Sequence, residues 1–195
     1  MREDLLDTAS RRLGELGDVE LLSLRGLAAE IGISAPSIYR HFPDKATLLI
    51  AVAEREFAKF GEELKAASAT GGEDPFNRLR GAGHAYLRLG EERPAHYRIL
   101  FGGVGLPCAR DQSEPRLPAG RPAFEALVEL VAACLETGPG GDGLDAFAVS
   151  TELWALMHGL VDLPFGNSTF PWGDVQRFVD AWLERFRAWV LLSPG

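Results

Sequence analysis

Apolar residues recur at three- and four-residue steps along most of this chain, the period of helices that turn one side to a core. Leu5, Ala9, Leu13 and Leu16 predict a first helix over residues 3 to about 16, ended by Gly17. Leu24, Leu27, Ala28 and Ile31 predict a second, with Ser23 as N-cap and Gly32 supplying the left-handed C-cap. Ser34 is expected to cap a third helix, with Pro36 in its first turn, where a missing N–H costs little. Pro43 disfavours helical geometry at the residue before it, so this helix stops at Phe42. Ile33, Ile38 and Phe42 can close a small core, leaving Ser37, Tyr39, Arg40 and His41 on the other face. Two short helices joined by a tight turn over residues 24–45 read as a helix-turn-helix.

The remaining pattern is also helical. Asp44 opens a long fourth helix with Leu48, Leu49, Val52, Phe57, Phe60 and Leu64 on its apolar side, fading at residues 68–72. Asp74-Pro75 restarts a helix carrying Phe76, Leu79, Ala82, Tyr86 and Leu89, and a short one follows over 95–101. Residues 102–118 are rich in Gly, Pro and charge and are expected to form a mobile loop. A seventh helix begins near Pro122 and runs to Leu135, and two long helices cover 144–163 and 173–192, with irregular chain at 164–171. No stretch reads as a hairpin. The expectation is an all-α protein of about nine helices. A three-helix helix-turn-helix head (1–48) precedes a helical ligand-binding and dimerisation domain (49–195).

The motif itself is specific. Gly32-Ile33-Ser34, Tyr39-Arg40-His41-Phe42 and Lys45 resemble the G-[IV]-S turn, Y-x-H-F and following Lys of the tetracycline-repressor (TetR-type) family. The likeness runs from about residue 2 to about 52. Where that family often has an aromatic near the end of its first helix, this chain has Leu13-Gly14. The resemblance implies a DNA-binding head in which the positions of Tyr39 and His41 touch phosphates.

Charge complicates that picture. The 195 residues carry a net charge of −8. Residues 1–45 hold six basic and eight acidic groups, a net −2. A head that binds DNA must therefore gather its few cations on one face and turn its acids away. Hydrophobic residues make up 46% of the chain, ample for a core. No apolar run reaches the ~18 residues of a membrane span, and the acidic N-terminus lacks a signal-peptide core, so a cytoplasmic protein is expected. Cys108 and Cys134 have no metal or disulfide spacing and read as reduced thiols.

The third helix, about 10 Å long at 1.5 Å per residue, fits a major groove about 12 Å wide. The candidate DNA-binding set is Arg25, Ser34, Ala35, Pro36, Ser37, Tyr39, Arg40, His41 and Lys45. Ser37 suits a base edge or phosphate, Ala35 and Pro36 a thymine methyl, and Arg40 a guanine or the backbone. Lys45 stands at a helix start, where free amides already favour an anion. Other readings stay open: Tyr39 as a half-buried packing residue, His41 as a cap of its own helix, Arg25 as solvated surface.

No nucleophile elbow, Walker loop or zinc-protease motif is present, and the four histidines are scattered, so no catalytic residue, metal or cofactor is expected. Trp154-Ala155-Leu156-Met157-His158-Gly159 resembles a W-x-x-x-H-G signature in the ligand-sensing domain of one TetR-type subgroup. His158 is then either the wall of an effector cavity or a core residue bonded to a carbonyl. Gly159 would admit a close neighbour. Tyr86, Tyr97, Phe101, Phe124, Trp154 and His158 form the candidate ligand set. Phe147, Val175, Phe178, Val179, Trp182, Phe186 and Trp189 form the candidate dimer seam. The leading reading is a homodimeric repressor that binds a palindromic operator in double-stranded DNA and is released by a small-molecule effector. Two alternatives stand beside it: a dimeric adaptor whose head binds a protein, and a helical enzyme, for which no convergent acid, base or nucleophile is visible.

Overall fold

A computed structural model describes residues 1–101, 120–167 and 169–192, and within them the chain forms nine α-helices. These are α1 (Arg2–Leu16), α2 (Leu24–Ile31), α3 (Ala35–His41), α4 (Lys45–Ala69), α5 (Pro75–Glu92), α6 (Pro94–Phe101), α7 (Gly120–Leu135), α8 (Ala146–Gly166) and α9 (Val175–Leu191). The expected loop at 102–118, with Cys108, lies outside the described residues. Packing divides the chain into two units. One takes residues 1–59, 92–101 and 120–121; the other takes 60–91 and the described residues from 122 onward. Helix α4 runs through both, and the expected boundary at 48/49 falls inside it.

The first unit is built on the stripes read from the sequence. Leu5, Leu6, Ala9 and Leu13 of α1 meet Leu24, Leu27 and Ala28 of α2, Ile38 of α3, and Leu48, Leu49 and Val52 of α4. Ile38 and Phe42 are 0% and 1% exposed. Gly17 (φ +67°) and Gly32 (φ +76°) end α1 and α2 in the left-handed conformation, and the Ser23 side chain accepts the Gly26 N–H at 3.0 Å. Two details depart from expectation. Ser34 occupies the N-cap position of α3 without capping it; its hydroxyl lies 3.1 Å from Ser37 Oγ. A 3-10 turn at Val19–Leu21, opened by Asp18 accepting from Glu20 N at 2.8 Å, separates α1 from α2.

The second unit is held by ring, ion-pair and close backbone contacts between its helices. Phe76 of α5 meets Phe186 of α9 with ring centroids 5.8 Å apart, and Asp74 joins Arg187 at 2.9 Å. A Cβ at Gly90 would overlap the Val161 side chain, so glycine lets α5 close on α8 there. Among the described residues no other helix closes on Gly159, the nearest atom to a Cβ there being Leu163 Cδ1 at 3.9 Å in the same helix. Helix α8 continues through Pro164 to Gly166 instead of stopping at 163. A proline in the last turn forfeits one hydrogen bond, and Asn167 holds that turn by donating its N–H to Leu163 O at 2.9 Å. On α9 the buried row is Val175, Val179, Leu183, Phe186 and Val190. Phe178 and Trp189 stay 48% and 50% exposed. Cys134 is buried and free, its thiol pushed up to about 12 chiefly by burial, which makes it unreactive. No helix among the described residues is long and apolar enough to cross a membrane.

Candidate functional site

The outer face of the helix-turn-helix is assembled from three short pieces. Helix α3 presents Ser37, Tyr39, Arg40 and His41, and Tyr39 is 43% exposed. Arg40 donates to Ser37 Oγ at 3.0 Å, which fixes both side chains along the helix. His41 is exposed in the last turn, where the helix dipole favours a cation. Asp44 opens α4 by accepting from Thr47 N at 2.7 Å and Thr47 Oγ1 at 2.8 Å, and these bonds hold its carboxyl below the usual range. Lys45 follows in the first turn and donates to Glu20 O at 3.1 Å.

These pieces meet in a surface concavity of about 430 Å³ lined by Ser23, Arg25, Tyr39, Asp44 and Lys45 with Leu22, Leu24 and Pro43. Arg25 and Lys45 are twenty positions apart in sequence and share this wall. Arg25 is exposed and makes no ion pair among the described residues. Of the candidate DNA-binding residues, Arg25, Tyr39 and Lys45 thus line one hollow, while Pro36, Ser37, Arg40 and His41 lie along α3.

The acids of the head are mostly spent elsewhere. Arg11 and Arg12 of α1 pair with Glu15 and with Glu30 of α2, the Arg12–Glu30 contact being 2.7 Å. Arg11 holds the Glu15 carboxyl below its usual range, and Arg12 does the same to Glu30. Arg55 of α4 takes Asp7 at 2.9 Å and Glu3 at 3.7 Å. Five of the head's acids are thus paired away from the face that carries Arg25, Tyr39 and Lys45, while Asp44 lines that hollow and Glu20 stands beside Lys45.

The candidate ligand residues fall into two groups. Tyr97 and Phe101 belong to the first unit, where their rings sit 5.0 Å apart and Phe57 meets Phe101 at 5.3 Å. Tyr97 is 1% exposed and serves as core. Tyr86, Phe124, Trp154 and His158 come together in the second unit as an aromatic ladder. The Tyr86 hydroxyl is 3.0 Å from His158 Nδ1, Trp154 lies 4.8 Å from His158, and Phe124 lies 5.4 Å from Trp154. Phe147, assigned to the dimer seam from sequence, extends this ladder at 5.5 Å from Phe124 and is 60% exposed. His158 is bonded to a tyrosine hydroxyl, a partner the sequence reading did not offer. Burial pushes its imidazole below the usual histidine range, against the opposing pull of Asp162.

A polar knot in the first unit escaped the sequence reading. Ser10 of α1 donates to Glu56 Oε1 of α4 at 2.9 Å and lies 3.1 Å from His96 Nε2 of α6. Because the Ser10 proton is committed to Glu56, Nε2 must carry the proton that reaches Ser10 Oγ. Gly14 leaves room for this imidazole, since a Cβ there would stand 2.9 Å from His96 Cε1. Partners 46 and 86 positions apart leave no local signal.

Burial also holds the His96 imidazole below its ordinary 6.5. A histidine lowered on folding binds its proton more readily when unfolded, so stability falls as pH drops below about 6.5. The lowered carboxyls lose their contribution only below their ordinary 3.8 and 4.5. The window from pH 7 to 5 thus belongs to His96 and His158. The melting temperature should fall across it, and His96→Gln with His158→Gln should flatten that fall; a wild-type melting temperature constant over this window contradicts both assignments.

Comparisons with known proteins show the family of the chain. Residues 5–61 match the family model described as bacterial regulatory proteins, tetR family, and 79–189 match the tetracyclin repressor-like C-terminal domain. The nucleoid occlusion factor SlmA of Cronobacter sakazakii is 26% identical over 186 residues, covering 93% of this chain and 90% of that protein. A protein of unknown function from Rhodococcus sp. RHA1 superposes with a TM-score of 0.80 at 28% identity, over 96% of this chain and 93% of that one. AibR, solved with isovaleryl coenzyme A and operator DNA, shares the fold at a TM-score of 0.61 and 18% identity, over 95% and 98% of the two chains. The chain belongs to the TetR family of DNA-binding transcriptional regulators, a family that is not enzymatic.

Proposed function

We propose that this regulator is a homodimeric repressor that reads a palindromic operator with residues 35–41 and is released when a small molecule binds its second unit. The observation that carries the DNA half is the common wall formed by Arg25, Tyr39 and Lys45 beside α3. These three, with Ser34, Ser37, Arg40 and His41, supply phosphate and groove contacts, and Ala35 and Pro36 supply apolar ones. One seven-residue helix reads only a few base pairs, and a two-fold axis doubles that reading over half-sites about 34 Å apart.

The effector half rests on the Tyr86–His158–Trp154–Phe124 ladder. It offers flat apolar faces and one hydroxyl–imidazole pair, features suited to a largely apolar ligand with a single polar group. Trp154, His158 and Gly159 give the reading its W-x-x-x-H-G subgroup. AibR, whose structure holds both a ligand and operator DNA, supports the combination on this fold. Helix α4 starts at Lys45 and continues into the second unit. A ligand that prefers one conformer of that unit therefore biases the DNA-competent one.

The dimer rests on exposed aromatics. Phe147, Phe178 and Trp189 are 60%, 48% and 50% exposed, bulky apolar side chains that a second protomer could cover. Val175, Val179 and Phe186 are used inside their own unit, and Trp182 stacks on Phe186 at 5.0 Å. Sedimentation at micromolar concentration should give a two-protomer species, and Phe178→Glu with Trp189→Glu should shift it to one protomer. A monomeric wild-type protein contradicts the dimer; a variant that remains dimeric moves the seam elsewhere.

A further inference from the structure

We infer that Glu20 is a built-in competitor for DNA phosphate at Lys45, so that the head reaches DNA with its best-placed ammonium already engaged by a carboxylate. The inference rests on the proposed phosphate contact of Lys45 and concerns a residue that no motif marks. Lys45 Nζ donates to the main-chain oxygen of Glu20 at 3.1 Å and stands 3.7 Å from Glu20 Oε2. The two contacts act differently. The carbonyl bond pins the ammonium at the concavity shared with Arg25 and Tyr39, and the carboxylate sets a negative charge beside it.

Exposure separates the partners: the Lys45 side chain is 30% exposed and that of Glu20 is 75% exposed. The ammonium is held while the carboxylate is free to swing away. The other acids of residues 1–45 have posts of their own. Glu3 and Asp7 pair with Arg55, Asp4 with the N-terminal amine, and Glu15 and Glu30 with Arg11 and Arg12, while Asp18 and Asp44 open helical turns. Asp44 also lines the hollow but is taken up by Thr47, so Glu20 is the acid paired with the hollow's lysine. A phosphate arriving at Lys45 must displace this carboxylate or bind beside it, and either event weakens the sequence-independent part of binding.

The test is fluorescence anisotropy with a labelled duplex covering the region upstream of the protein's own gene, titrated from about 50 to 200 mM salt. Glu20→Gln should bind about three- to tenfold tighter than wild type at the low-salt end and show the steeper salt dependence. In a Lys45→Ala background the same substitution should gain no more than about twofold, because its effect runs through the ammonium. Glu136→Gln, an equal charge change at an exposed site after α7, sets the baseline for net charge. A Glu20→Gln affinity equal to wild type or to the Glu136→Gln baseline overturns the inference, as does an equal gain with and without Lys45. Absence of saturable wild-type binding strikes instead at the proposed contact on which the inference rests, and is read from the first titration alone.

Discussion

Lys45→Ala should lower operator affinity roughly tenfold for each half-site, and on the order of a hundredfold for a dimer, across all sequences tested. The size follows from what the side chain does. Its ammonium is pinned by Glu20 O at 3.1 Å in the first turn of α4, where the amide dipoles already favour an anion. A charge-assisted bond to phosphate at such a place contributes more than one from a freely moving surface lysine. A phosphate contact carries no base information, so specific and scrambled duplexes should weaken together. The slope of affinity against salt should also fall by about 0.9 for each lysine removed. Anisotropy over a salt series reads both quantities, and an unchanged affinity with an unchanged slope removes Lys45 from the interface.

Phe42→Ala should cost about 3 to 5 kcal/mol of stability and lower the melting temperature by roughly 10 °C. Phe42 closes α3 with its N–H on Ile38 O at 2.9 Å, and its ring is 1% exposed within the core of the first unit. The Arg2 guanidinium covers the ring at 5.4 Å. Truncation leaves a cavity that the short α3 cannot collapse to fill without losing its register against α2. A loss of this size is a large share of the 5–15 kcal/mol that ordinary domains possess. Leu21→Ala, at a position 63% exposed, should change stability by less than about 0.5 kcal/mol. Calorimetry compares the two, and a Phe42→Ala melting temperature within a degree of wild type contradicts the core assignment.

The head was legible because its signals are local. Ser23, Gly32, Pro36 and Pro43 punctuate the chain within a few residues of what they stop or start, and Ile38 and Phe42 are apolar at helical spacing. Signals spread over long separations were not legible. Ser10, Glu56 and His96 look unremarkable apart and form one buried network together. The pairing of Tyr86 with His158 spans 72 positions. Wide apolar stripes hide their inner face: on α9 the aromatic residues drew the eye, and Leu183, at 1% exposure, is what the core selects. Pro164 marked the end of α8 one turn early, because proline excludes itself from a helix interior far more strongly than from its last turn. At Ser34 the residue type favoured a cap, but its hydroxyl lies against Ser37 instead.

The proposed function needs a head that reads DNA as a symmetric pair. Its most direct test is the binding of wild-type protein to a labelled duplex from upstream of its own gene, against a scrambled duplex of equal composition. A salt series accompanies both, with selection from random duplex sequence in parallel. A symmetric DNA reader should show saturable binding by two protomers per site, a clear preference for the upstream or the selected palindromic sequence, and an affinity that falls with salt. No preference at any salt, together with no sequence enriched by selection, would contradict it and leave the head as a surface for another protein.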